Sequence, residues 1–357
     1  MITSFHVQNY RCFGDFHIAP LERVNLITGA NNVGKTALLE ALYLNLSPAT
    51  ALNTNLDSSR SESSTKHYLF RGFKDVHYPL DNVARWGWLF HGKDLTKDIR
   101  LAANVTDGLK KEITMRWMLE TKRQEIPVTS DIPLDDFPGF LKIQTSNGEA
   151  PPISWRIDRN GHRPPQEYAF DRLPLRLLFN VSSRATEEDT KWFSKLADIG
   201  REGDVVNTLR LIEPRLKDLA VSTSDGPAMI YGDIGVGRRV PMSQMGEGMV
   251  RLLSLVLEIT NASGGLVLID EIENGLHHSV LTKVWSAIAQ AARSSNTQIF
   301  ATTHSWECIK AAHDAFMKSG TYDLRLHRLE RINQDIRALT YDQKTLETSV
   351  DMSLEVR

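Results

Sequence analysis

The 357-residue chain has only two cysteines, Cys12 and Cys308, and neither belongs to a C-x-x-C pair or a paired Cys/His spacing. A disulfide framework and a zinc site are excluded on that count. Net charge is nearly absent: 42 Lys and Arg against 44 Asp and Glu leave −2. That balance excludes a globally basic coat for nucleic acid, while a local basic patch stays open. No apolar run approaches the ~18 residues needed to span a bilayer. The opening MITSFHVQNYRC lacks the charged-then-apolar layout of a signal peptide. These absences predict a soluble, cytoplasmic protein of a reducing compartment, without a membrane partner. Internal repeats and sustained heptads are also missing, which excludes a long coiled-coil arm. What remains is ordinary, 41% hydrophobic and 24% charged, enough for one large domain or two modest ones.

The informative stretch is 21–46, LERVNLITGANNVGKTALLEALYLNL. Val24 to Thr28 reads as a buried strand, and from Lys35 the spacing of Leu38, Leu39, Leu42 and Leu46 predicts a helix. Between them, Gly29-Ala30-Asn31-Asn32-Val33-Gly34-Lys35-Thr36 fits G-x-x-x-x-G-K-[ST] completely, with Ala37 following. Two glycines let the backbone wrap a phosphate with its N–H groups inward, and the helix N-terminus adds partial positive charge. Lys35 can reach the β- and γ-phosphates, and the Thr36 hydroxyl can ligate Mg²⁺. By chance such a pattern arises in roughly one chain in a hundred of this size. The strand before it and the helix after it make accident rarer still. ATP with Mg²⁺ is the ligand expected.

The rest of the chain is read around this loop. Ile2–Gln8 and Phe16–Ile18 are expected strands, joined through Asn9-Tyr10-Arg11-Cys12-Phe13. For Arg11, a phosphate contact and a solvated surface charge are equally open. Residues 47–66 read as a loop, and WGWLF, DIRLAANV, KEITMRWML and Ile153–Ile157 as strands within a β-rich insertion. The tryptophans at 86, 88, 117 and 155 are expected in the core or on a sheet face, not as a base-stacking platform, since no basic run interleaves with them. PLRLLFNVS at 174–182 reads as a buried strand with Ser183-Arg184 at its end. Helices are predicted over 187–199 and 203–219, and a glycine-broken hairpin over 227–241. Met245-Gly246-Glu247-Gly248-Met249-Val250-Arg251 opens an apolar helix. Gly265 to Asp270 is a short buried strand ending in Asp270-Glu271. A helix over 279–293 precedes a strand at Gln298–Thr302, closed by Thr303-His304-Ser305. A hairpin over 323–341 leads to a short polar tail.

Asp270 at a strand end can hold the Mg²⁺ bound to Thr36. Glu271, where the chain turns, can face the attacking water. An Asp for metal and a Glu for water is a hydrolysing design, less expected of a kinase. His304, at the end of the next strand, is placed to sense the γ-phosphate.

In this order, GANNVGKT, MGEGMVR, LVLIDEIENGLH and ATTHS resemble the ABC-type ATPase heads of the SMC/RecF/OLD group, most closely the bacterial OLD-like AAA ATPases of phage-defence and DNA-maintenance operons. Asn9-Tyr10-Arg11 matches the group's N-[FY]-R turn, whose arginine contacts nucleotide. The resemblance implies an α/β fold: an ABC-type P-loop ATPase head with a mixed central sheet flanked by helices, plus a β-rich insertion between Walker A and the signature helix. Residues 1–46 and 174–341 would form the head, 47–173 the insertion and 342–357 a tail. It further implies that two heads sandwich two ATPs. Lys35, Thr36 and Asp270 would act in one protomer, with Gly246 and Gly248 of the 245–251 segment coming from the other. Glu271 would be the base, Glu273–His277 a dimer-facing loop and His304 the switch histidine. Gly246 stands where the family's signature serine would be, so slow hydrolysis is expected; Glu247 is an unwelcome negative charge there unless it turns towards Arg251. Full-length OLD proteins append a nuclease, which this chain is expected to lack. Implied partners are itself, as a homodimer or an oligomer of dimers, and a separately encoded effector such as a TOPRIM-like nuclease. Two other readings stand beside the switch. One is an ATP-binding scaffold that sequesters an effector. The other is a RecF-type DNA-end binder using Lys110, Lys111, Arg116, Lys122 and Arg123.

Overall fold

Alternating burial along Ile2–Tyr10 (β1), with Phe5 and Val7 inside and His6 and Gln8 at the surface, marks one face of a half-covered strand. The computed structural model describes residues 1–48, 86–119, 139–148, 151–157, 175–178, 187–223 and 227–352. The chain divides into two units. One is Met1–Leu21, Asn31–Arg172 and Leu329–Leu339; the other is Glu22–Ala30, Leu173–Arg328 and Thr340–Arg357.

In the first unit β1 pairs with Phe13–Ile18 (β2), and the chain then passes through Val24–Gly29 (β3) in the other unit. On its return Ile99–Val105 (β4), Lys110–Leu119 (β5), Gly139–Asn147 (β6) and Ile153–Ile157 (β7) continue the antiparallel sheet, in the order β2-β1-β4-β5-β6-β7. The described strands of 47–173 therefore extend the sheet begun by β1 and β2. The helix Lys35–Leu46 (α1) packs against β1, β4 and β5. Its buried Asn45 donates to the Leu101 carbonyl at 2.8 Å.

Two expectations change here. WGWLF is not a strand: it forms a single 3-10 turn at Gly87–Leu89, and a second follows at His91–Lys93. Trp86, Leu89 and Phe90 are buried while Trp88 is 53% exposed, a spacing that suits a turn, and Gly92 at φ 59° breaks extension. The strand β6 was not expected. Its alternation (Leu141, Ile143 and Thr145 inside) lies within a stretch rich in Pro, Asp and Gly that hid it.

The second unit carries most of a six-stranded sheet, built with Leu175–Leu178 (β8), Leu266–Ile269 (β12), Gln298–Thr302 (β13), Leu324–Ile332 (β14) and Asp335–Tyr341 (β15), of which Leu329–Leu339 counts with the first unit. Its order is β15-β14-β3-β13-β12-β8, and β3, β13, β12 and β8 run parallel. Every residue of β3, β12 and β13 is buried, the pattern of a parallel sheet covered on both faces. Asp218–Ser222 (β9), Met229–Asp233 (β10) and Val240–Pro241 (β11) form a smaller antiparallel sheet. The helices are Glu187–Ala197 (α2), Glu202–Leu209 (α3), Glu247–Asn261 (α4), Leu281–Ser294 (α5), Trp306–Lys318 (α6) and Gln343–Asp351 (α7).

The helix read over 203–219 stops at Leu209, before Pro214. Arg210 closes the following turn by donating to the Leu216 and Lys217 carbonyls at 2.7 and 2.8 Å. Helix α6, absent from the sequence reading, starts at Ser305, whose hydroxyl accepts from the Cys308 N–H. The expected tail is a helix too: Asp342 caps α7 by accepting from Thr345 N–H, and Leu346 is buried. The end of the 174–182 strand, the 49–66 loop, Ser183-Arg184, Lys122 and Arg123 lie outside the described residues.

Candidate functional site

The glycine loop begins where β3 ends, with Gly29 at φ 137°, Asn32 at 62° and Gly34 at 107°. Asn31 and Asn32 are exposed, Val33 is buried, and Gly34 to Ala37 are half-buried. Gly34 caps α1 in the left-handed region; no side chain caps that helix and no acidic residue sits in its first turn. In the same unit, a Cβ on Gly34 would lie 2.6 Å from Cys12 Sγ and 3.0 Å from Phe13. Only glycine fits there, so the loop is moulded over the hairpin between β1 and β2. Backward-curving backbone, an uncapped helix start and a lysine behind it fit the phosphates of a nucleotide.

Arg11 sits on that hairpin at φ 49°, its N–H donating to the Leu89 carbonyl at 2.7 Å. Its guanidinium pairs with Glu40 of α1 at 3.1 Å, and Glu40 is buried. The structure thus gives Arg11 an intramolecular partner, where the sequence left a phosphate contact and a surface charge equally open. Burial pushes the neighbouring Tyr10 hydroxyl well above the ordinary phenol range.

In the second unit, Ile269 lies beside Ala301 and Thr302 beside Ile27, so the carboxyl ends of β12, β13 and β3 share one edge. Asp270 and Glu271 leave β12 at this edge. Thr302 ties them together: its hydroxyl donates to Asp270 Oδ1 at 2.6 Å and accepts from the Glu271 N–H at 2.8 Å. Glu271 adopts φ 50°, the turn that takes its side chain out of the strand's alternation. Asn274 Nδ2 donates to Glu271 Oε2. Glu273 Oε1 accepts from the His304 N–H at 3.0 Å and lies 3.1 Å from His304 Nδ1. Four features, Asp270, Glu271, His304 and the β3 end that opens the glycine loop, therefore lie along one strand-end edge.

The 245–251 segment reaches the same place through its last residue. Gly246 precedes α4 at φ 100° and ψ 148°, with no side-chain cap, and Gly248 lies in the first turn. Arg251 is buried, and its Nη2 donates to the carbonyls of Glu271 and Ile272 at 3.3 Å each. Burial lowers its pKa, and Glu273 and Glu247 oppose that shift. A Cβ on Gly275 would meet Glu247 Oε1 at 3.6 Å and Arg251 Cδ at 3.7 Å. His277 accepts from the Ser279 N–H, and its ring stacks on His278 with centroids 4.1 Å apart. Sequence reasoning missed the parts played by Thr302, Glu273 and Asn274. Their signals were present in ATTHS and DEIEN, as polar residues flanking the two strand ends.

Parallel strands whose common edge carries the start of a glycine loop, an Asp-Glu pair and a Thr-His pair fit an ABC-type ATPase head. The chain belongs to the family described as "AAA domain, putative AbiEii toxin, Type IV TA system", whose model matches residues 122–307. A second model, "AAA ATPase domain", matches residues 1–117. Over 97% of both chains it is 23% identical to an ATP/GTP phosphatase of Helicobacter pylori. A 43-residue stretch, 12% of each chain, is 42% identical to the DNA replication and repair protein RecF of Idiomarina loihiensis. Its fold is similar to the crystal structure of an SMC head bound to the C-winged helix domain of ScpA. That match has a TM-score of 0.51 and 11% identity, covering 97% of this chain and 99% of that one. The protein is an AAA-family ATPase with a fold similar to that of SMC heads.

Proposed function

We propose that the chain is an ATP-driven switch that closes as a homodimer on Mg²⁺·ATP and opens on hydrolysis, changing its hold on a separately encoded effector or on DNA in phage defence or DNA maintenance. The observation that carries this is the shared edge of β3, β13 and β12, which bears the start of the phosphate loop, His304 and the Asp270-Glu271 pair. In this reading Gly29 and residues 31–37 hold the phosphates, with Lys35 on the β- and γ-groups. Thr36 and Asp270 would hold a Mg²⁺, which would supply charge to offset the phosphate oxygens. Glu271 orients a water and takes its proton as the water oxygen bonds to the γ-phosphorus and the bond to the ADP oxygen breaks. His304 offsets charge on the departing phosphate. The segment from Gly246 to Arg251 is contributed to the partner's nucleotide, through backbone N–H groups at a helix start where other heads use a serine. Purified protein that neither turns over ATP nor changes mass with it would overturn the reading.

A scaffold that binds ATP with little turnover is the second reading, favoured by Gly246 and by the Asn274 amide already held on Glu271. Steady-state turnover lost in Glu271→Gln counts against it. The basic set offered for DNA gains little from the structure. Arg116 forks onto Asp98 at 2.6 Å, Lys110 pairs with Glu112 at 2.6 Å, and Lys111 is buried.

A further inference from the structure

We propose that Glu273 is a positioning residue for His304: it fixes which imidazole nitrogen carries the proton and supplies the counter-charge that lets the ring act on phosphate. The inference rests on the ATPase reading above and assigns a residue to it that the strand-end motifs alone do not.

One carboxylate oxygen, Glu273 Oε1, receives the His304 backbone N–H at 3.0 Å and sits 3.1 Å from His304 Nδ1. A carboxylate oxygen is an acceptor only, so its 3.1 Å approach favours the tautomer with hydrogen on Nδ1. The same oxygen faces main chain and ring of one residue: it is hydrogen-bonded to the first and 3.1 Å from the second. Glu273 is 11% exposed while His304 is 54% exposed, so the anchor is buried and the ring is presented outward. Among the described residues, Glu273 Oε2 has no hydrogen-bond partner. Its charge is faced by Arg251 of α4, where it opposes the lowering of the pKa by burial, and by the His304 ring.

The consequence is chemical. With Nδ1 on the Glu273 side of the ring, Nε2 is the nitrogen left for a ligand. It offers a proton to a phosphate oxygen when the ring is doubly protonated, and the Glu273 carboxylate is the adjacent group that balances that charge. The same turn places Asn274 on Glu271, so consecutive residues 273 and 274 orient the switch histidine and the water-orienting glutamate respectively. Sequence separation hides this link: Glu273 and His304 are 31 residues apart.

The test combines a spectroscopic readout of nucleotide-free protein with a double-mutant cycle. In ¹⁵N-histidine long-range spectra, assigned with His304→Gln, the His304 signal should show a protonated Nδ1. Glu273→Ala should shift it towards the Nε2-protonated form. In turnover, Glu273→Ala and His304→Ala should each lower kcat by roughly 10- to 100-fold, as loss of a histidine's orienting partner does, with KM little changed. The double variant should be no slower than the slower single. The near-isosteric Glu273→Gln keeps an acceptor and the fold; it should retain the tautomer and lose kcat. An unchanged His304 tautomer in Glu273→Ala, or losses that multiply in the double variant, overturns the proposal. Lys35→Ala separates this from the underlying reading. If it turns over like wild type, the ATPase site is misassigned whatever the spectra show; if it is dead and the cycle shows no coupling, only the role of Glu273 falls.

Discussion

In the antiparallel sheet of the first unit, Ile99 and Leu101 of β4 point inward while Arg100 and Asn104 are exposed. In the parallel sheet of the second, every residue of β3, β12 and β13 is buried. The first sheet spreads polar groups over a wet face, where pairs such as Arg116 with Asp98 form. The central strands β3, β12 and β13 of the second have no wet face, and the Asp270-Glu271 pair and His304 lie where those strands end. That is why its motifs are short, ordered and bunched at one edge. The comparison makes a general point about where function can sit. A half-covered sheet tolerates charge almost anywhere, and a doubly covered one concentrates it where the chain leaves the sheet.

The sharpest way to break this comparison is to remove a strand-end group. Lys35→Ala and Asp270→Ala should each cut ATP turnover by about a hundredfold or more, measured by phosphate release. Retained turnover would detach the chemistry from that edge. Gly34→Ala sharpens it from the loop side. The residue is held at φ 107° with Cys12 Sγ 2.6 Å from the new methyl. Backbone strain of about 1–3 kcal/mol is expected, read as a lower urea midpoint together with weakened nucleotide binding. Replacing Cys12 with glycine should recover only the steric part.

A third prediction probes the buried sheet directly. His327 is enclosed with Thr340 and Asn25 as its neighbours at 3.0 and 3.4 Å, and burial drops its pKa from 6.5 to about 3. Between those values the unfolded chain binds the extra proton, so stability is full above pH 6.5 and falls as pH drops towards 3. The slope is up to about 1.4 kcal/mol per pH unit. His327→Gln should flatten that slope in urea midpoints taken across pH 4–7; an equal slope in the variant would assign it elsewhere. The smallest effect belongs to the wet face: Asp98→Ala should cost less than about 1 kcal/mol and leave turnover unchanged.

Much of the second unit was legible because its signals are local. A β-branched run, a glycine loop and an acidic pair each declare a strand end within a few residues. Thr302, Glu273 and Asn274 were not legible, since their meaning lies in contacts made across a turn or between β12 and β13. The first unit hid more. Strand β6 lay among prolines and acids, and Trp86, Leu89 and Phe90 looked extended because aromatic composition outweighed their spacing. Helix α7 looked like a tail, although Asp342 and Thr345 carried its cap. Arg11 shows the limit plainly: nothing in Asn-Tyr-Arg announces Glu40, 29 residues on, as its partner.

The most direct test of the switch is the solution mass of Glu271→Gln with and without Mg²⁺·ATP. The account predicts monomer without nucleotide and dimer with it, a shift abolished by Lys35→Ala. A mass that is the same in both states would contradict it.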